Sequence, residues 1–183
     1  ENVKDELLDR LFTELISGST QPPKYYAEKL KSMNAPIDAC GNYCLFVLTP
    51  ELTRTDIPEA VRQLAETVCT DISDRLNFRY ADFIFDSKLI LIVEFDCSYA
   101  SVNTAACTAQ LEYALKEARS SKLYFDIRLS GIYKKIEDTS FVYSSLFDES
   151  KNENNELYGE DYFRYKVNEA CELIQADDTD SAK

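Results

Sequence analysis

A chain of 183 residues with 45% hydrophobic content is long enough to bury a sizeable core as one domain with appended helices. Its 33 acidic against 20 basic residues give a formal charge of −13, which repels phosphate backbones and anionic membrane surfaces, so neither nucleic acid nor a membrane is expected as a direct partner. No run approaches the roughly 18 apolar residues of a membrane span; acidic groups stand where a secretory leader needs a basic and then apolar start; and the absence of histidine removes Ser-His-Asp and Cys-His catalysis. The chain reads as cytoplasmic.

From Val3 to Ser17, Leu7, Leu8, Leu11, Phe12, Leu15 and Ile16 recur at helical spacing opposite Lys4, Asp5, Asp9, Arg10 and Glu14, the pattern of an amphipathic helix. A helix of about 15 residues is marginal alone and needs a packing partner in the same chain or another. Leu7, Leu8, Leu11, Phe12 and Leu15 are therefore expected to form a dimerisation stripe, with a homodimer as the assembly. Gly18-Ser-Thr-Gln-Pro-Pro stops this helix, and Ser17-Gly18-Ser19 is too short and Gly-poor for a phosphate loop. Pro22-Pro23 suits the first turn of a second helix to about Met33, with Tyr26, Leu30 and Met33 as its buried stripe. Tyr43 to Thr49 (YCLFVLT) is a near-continuous apolar run expected as a central strand that Pro50 closes. From Asp56 to Asn77, Ile57, Ala60, Val61, Leu64, Val68, Ile72 and Leu76 mark another helix.

Phe78 to Phe95 (FRYADFIFDSKLILIVEF) reads as two strands meeting at a tight turn, Asp86-Ser87. Alternation puts Phe78, Tyr80, Ile84, Leu89, Leu91, Val93 and Phe95 on one face, with Asp82 the only polar intruder, and Ala81, Phe83, Phe85, Ile90 and Ile92 on the other. A pair apolar on both faces needs cover on both. Ser101 to Ser120 is expected to be a helix whose Ala105, Ala106, Ala109 and Ala114 allow close packing, with Leu111, Tyr113 and Leu115 supplying bulk. Leu123 to Tyr133 alternates as a strand in which Gly131 marks a bulge or close approach. Glu137 to Asp148 and Tyr162 to Gln175 are candidate helices, separated by a polar loop and followed by an acidic tail.

Strand, helix, hairpin, helix, strand is the order of a split βαβ unit. The expected fold is α+β: a ferredoxin-like, four-stranded antiparallel sheet with extra N- and C-terminal helices, with Pro22 to Met33 or the helices following Glu137 covering the second sheet face. The expected divisions are residues 1–36 as linker and helices, 37–150 as the core, and 151–183 as a C-terminal helix and tail.

Few residues offer chemistry. Cys40 and Cys44 have CxxxC spacing, but Cys69, Cys97, Cys107 and Cys171 are scattered and no ligand knuckle repeats, so reduced thiols are expected rather than a metal site. Glu94 and Asp96 have the alternate spacing of two metal ligands, against which stands the simpler reading of a solvated strand terminus. Tyr25, Tyr26, Tyr158, Tyr162 and Tyr165 could line a pocket or interface, with ordinary amphipathic packing as the plainer account.

LLDRLFTELISG at Leu7–Gly18, then SMNAPID, YCLFVLT, the hairpin, RLSGIY and SFVYSSLF together resemble the degenerate GGDEF-like domains of bacterial transcription regulators, including AraC-type response regulators and sugar-diacid regulators. The resemblance implies a nucleotide-cyclase-like sheet between receiver and helix-turn-helix modules, acting as a regulatory and dimerisation domain. Active cyclases of similar fold carry Gly-Gly-(Asp/Glu)-Glu-Phe at the hairpin, where glycines admit the nucleotide and acids hold a divalent metal. Here the hairpin is FIFDSKLI, and YCLFVLTPE has no acid before Glu51. Asp86 could replace one ligand, although Asp in a turn ordinarily serves turn geometry. The resemblance thus implies no catalytic residue, metal or cofactor. The alternatives are a divergent nucleotide-binding, cyclase-like enzyme and a plain protein-interaction module.

Overall fold

Alternation over Phe78 to Phe95 produces the hairpin that the sequence predicts: β2 (Phe78–Phe85) pairs β3 (Lys88–Phe95) from Phe78 opposite Phe95 to Phe85 opposite Lys88. The two turn residues, Asp86 and Ser87, have φ of 50° and 58°, the left-handed pair that a two-residue turn of matching twist requires. Asn77, at φ 50°, ends the preceding helix and lets the chain enter β2 at once. The structure, a computed structural model, describes residues 3–18, 21–51, 57–96, 101–120 and 122–148.

Among these residues the other elements are α1 (Val3–Ile16), α2 (Pro23–Ser32), β1 (Cys40–Pro50), α3 (Ile57–Leu76), α4 (Ser101–Glu117), β4 (Phe125–Leu129), β5 (Tyr133–Lys135), a 3₁₀ turn (Ile136–Asp138) and α5 (Thr139–Ser145). They form an α+β fold with a five-stranded antiparallel sheet of order β2-β3-β1-β4, with β5 also pairing β1. The chain divides into two compact units, Glu1–Leu146 and Phe147–Lys183, and all of these elements belong to the first. The expected helix Tyr162 to Gln175, the loop and tail around it, Cys97 and Cys171 lie outside the described residues.

β1 is central, and Tyr43 to Leu48 are fully buried, which is why this run is apolar on both faces. Pro50 closes the strand as its last residue, opposite Phe125. The fifth strand is a departure from the four expected. Leu123 to Tyr133 does not run as one strand, because the Ser130 hydroxyl accepts the Leu45 N–H at 2.9 Å and donates to the Gly131 carbonyl at 2.7 Å. A side chain takes one place in the ladder, and pairing resumes only at β5 along the same side of β1.

One face of the sheet, with Cys44, Phe46, Leu48, Phe78, Leu89, Leu91, Val93 and Phe95, carries the main core under α3 and α4. α3 contributes Val61, Ala65, Cys69, Ile72 and Leu76. α4 faces the sheet with Thr104, Thr108, Leu111 and Leu115, whereas Ala106 and Tyr113, expected against the sheet, point to solvent. The opposite face, with Tyr43, Leu45, Val47, Ala81, Phe83, Ile90 and Ile92, is covered by the chain's own helices. Phe12 of α1 stacks on Phe83 with ring centroids 5.5 Å apart, and Tyr143 of α5 meets Phe85 edge-on at 5.6 Å. Tyr26 and Leu30 of α2 are buried, and this helix meets the 3₁₀ turn.

The stripe expected for dimerisation is therefore spent largely within the chain. Leu11, Phe12 and Leu15 are buried against β2 and α5, Leu8 is half-buried, and Leu7 alone of the five is exposed, at 49%. An amphipathic pattern shows that one face of a helix is covered, but not by which chain.

Candidate functional site

One concentration of charge lies at the end of the sheet opposite the Asp86 turn. Arg79 at the start of β2 and Glu94 near the end of β3 are directly opposite in register, and Tyr43 flanks Glu94 on β1. Alternation points Glu94 into the face covered by α1, α2 and α5, where it is 3% exposed. Arg79 Nη2 donates to Glu94 Oε1 at 3.0 Å and to Asp38 Oδ2 at 2.8 Å, while the Asp38 backbone N–H donates to Glu94 Oε2 at 2.9 Å. The Tyr43 hydroxyl donates to the Asp38 carbonyl at 2.6 Å, fixing the segment that leads into β1.

Gly41 has a specific reason to be glycine: a Cβ there would stand 2.6 Å from Glu94 Cγ. Burial pushes the Glu94 carboxyl above its ordinary value, with the Asp38 N–H and Arg79 acting against the rise. Burial, then the charge of Glu94, raises the Tyr43 phenol and keeps it neutral. A hollow of about 340 Å³ opens here, lined by Asp38, Cys40, Asn77, Phe78, Arg79, Glu94 and Asp96. Cys40 also borders a second hollow of about 240 Å³ that is lined by Lys24, Ala27, Ala39, Lys134, Lys135 and Glu137.

Glu94 is not part of a solvated strand terminus. Its alternate-residue partner Asp96 lies in the same hollow but is exposed, and both Glu94 oxygens are engaged by Arg79 and a backbone N–H. Among the described residues no group of three or more Cys, Asp or Glu is placed to hold a metal ion. The arrangement can fix the ends of three segments against one another.

Asp86 lies at the hairpin turn, with its side chain 74% exposed and its carboxylate 2.6 Å from Lys88 Nζ, whose hydrogen bond and charge hold it below the usual carboxylate range. Cys40, Cys44, Cys69 and Cys107 form no disulfide with one another. Burial distinguishes the CxxxC pair, with a register shift of β1 lying between Cys40 and Tyr43: Cys40 is exposed, whereas Cys44 is buried, donates to the Ser130 carbonyl at 3.2 Å and has its thiol pushed up to about 12 by burial. Tyr25 and Tyr26 meet edge-on at 5.3 Å, with Tyr26 buried in the α2 contact; Tyr158, Tyr162 and Tyr165 lie outside the described residues.

The sequence reading missed a second charged constellation. Arg62 of α3 donates through Nε to Asp82 Oδ2 at 2.6 Å and through Nη2 to the Asp82 carbonyl at 3.3 Å. It also pairs with Glu66 at 3.4 Å and with Asp9 of α1 at 3.5 Å. Burial raises the Asp9 and Glu66 carboxyls, and Asp82 adds to both shifts. Asp82 as a lone acid in an apolar stripe was the signal, because a half-buried carboxylate needs a cation.

No helix among the described residues is long and apolar enough to cross a membrane. The chain matches no protein-family model, no curated protein and no solved structure.

Proposed function

We propose that this chain is a non-catalytic regulatory and dimerisation domain of a cytoplasmic bacterial transcription regulator. Its neighbours would be the receiver and helix-turn-helix modules of the parent protein, and its partner a second copy. The observation that supports this reading is the strand order β2-β3-β1-β4 with α3 and α4 on one face, which we read as a ferredoxin-like split βαβ unit. Cyclase-like regulatory domains are built on this frame, and the sequence resemblance points to them.

The hairpin supports the non-catalytic part. Phosphoryl transfer depends on metal ions bridging phosphate oxygens, and those ions need convergent carboxylates. The turn offers Asp86 tied to Lys88, and both turn positions carry a side chain where the family's glycines admit the nucleotide. Incubation with GTP or ATP and magnesium or manganese is expected to yield no cyclic product and no saturable heat. Turnover that disappears in Asp86→Ala would overturn the reading. The coding sequence on either side supplies an independent check: a receiver upstream and a basic helix-turn-helix downstream are expected, and a gene encoding neither contradicts the regulatory assignment.

A further inference from the structure

The two edges of the sheet are treated differently. At the β2 edge, Arg62 occupies the Asp82 carbonyl and pairs with Asp9 of the helix on the other face, so a side chain straps this edge. Among the described residues, no backbone hydrogen bond is made across the outer edge of β4, which ends the strand order. An open edge is a template for another strand.

The register shows which backbone groups point outward. Ser130 N–H donates to the Leu45 carbonyl, and Glu51 N–H to the Tyr124 carbonyl, so the even-numbered residues of this strand face β1. The N–H and C=O groups of Phe125, Ile127 and Leu129 therefore face outward. β4 reads Phe-Asp-Ile-Arg-Leu, which is self-complementary when run antiparallel about its middle residue. Placing a two-fold axis at Ile127 makes Ile127 a hydrogen-bonded pair with its own copy and Phe125 one with Leu129 of the copy. All the outward groups of the strand are then used. Asp126 falls opposite Arg128 of the copy, twice, in the non-hydrogen-bonded positions where side chains approach most closely.

We propose that β4 is the dimerisation edge: two copies of this chain join antiparallel through β4 about a two-fold axis at Ile127, continuing one sheet into the other. The occupant is a second copy because the charge pattern answers itself and an isologous contact must be self-complementary. The proposal rests on the homodimer part of the proposed function and replaces the α1 stripe as its surface.

The test is solution mass across a concentration series for the whole chain and for Asp126→Arg, Arg128→Asp and the double exchange. Each single change sets like charges opposite each other twice and is expected to weaken association about tenfold, whereas the double exchange restores opposite charges and the dimer. Arg128 Nη1 also donates to the Leu146 carbonyl at 2.7 Å, so thermal melting accompanies each variant; Asp126→Arg, at an exposed position, leaves that bond in place. A wild-type chain that is monomeric at about 100 μM overturns both the dimer and this surface. A dimer indifferent to Asp126→Arg, or a double exchange that stays as weak as the singles, overturns the β4 pairing while leaving dimerisation by another surface.

Discussion

Glu94 is held by contacts that its own strand does not supply. One oxygen depends on the Asp38 N–H, 56 residues away, and the other on Arg79 across the hairpin. Glu94→Ala would remove the acceptor of that part-buried N–H and the buried partner of Arg79 and is expected to cost about 1–3 kcal/mol, while Glu94→Gln keeps an acceptor and should cost less. Both are measurable by chemical denaturation. Gly41→Ala should destabilise by about 1–3 kcal/mol, because its Cβ meets a side chain fixed by two hydrogen bonds. The pH dependence follows from the raised Glu94 carboxyl. The folded state binds this proton more tightly than the unfolded state, so the Glu94 contribution falls as pH rises from the ordinary value of 4.5 through the raised one, then levels off. Stability of the wild type minus that of Glu94→Gln, measured against pH, should show this downward step; an upward step would contradict the burial argument. The sequence placed Glu94 and Asp96 on one side of a strand end, but not the burial of the first, since burial depended on where distant Asp38 came to rest.

α1 shows how far patterning reaches at the level of elements. The periodicity located the helix and its apolar stripe, and alternation located the hairpin, its turn and the residues of each face. That the chain's own helices cover the second face was legible, but the part of α1 in that cover was not, because a stripe of Leu and Phe is equally suited to its own chain and to another. Phe12→Ala is expected to cost about 3–5 kcal/mol and Leu15→Asp to unfold the domain, since both positions are buried within a single chain. Leu7→Asp, at an exposed position, should change stability by no more than about 0.5 kcal/mol. Denaturant midpoints would separate these cases, and a folded monomeric Leu15→Asp variant would return the stripe to an interface between subunits. The break between β4 and β5 falls where Gly131 marked an irregularity, but its form was not legible for a local reason: alternation continues through Ser130, and only its hydroxyl, turned onto Leu45, shows that the ladder is interrupted.

For the whole molecule, a charge of −13 sets the terms of any assembly. Two such chains repel, and screening lengths of about 30 Å at 0.01 M salt and about 8 Å at 0.15 M determine how strongly. The Asp126–Arg128 pairs of a β4 dimer, each with its carboxylate at an exposed position, contribute little individually, so relief of net repulsion should dominate. Self-association is expected to be weaker at low salt than at physiological salt, as sedimentation at the two ionic strengths would show. The opposite trend would mean that local ion pairs govern the contact. The stacking of Phe12 on Phe83 has a further, mechanical consequence. α1 bears on β2, whose far end is the Asp86 turn and whose near end holds Arg79. Torque applied to α1 would therefore reach the sheet as shear along β2, between the turn and the Glu94 anchor, and would load α5 as well, making this helix a lever with the sheet as its fulcrum.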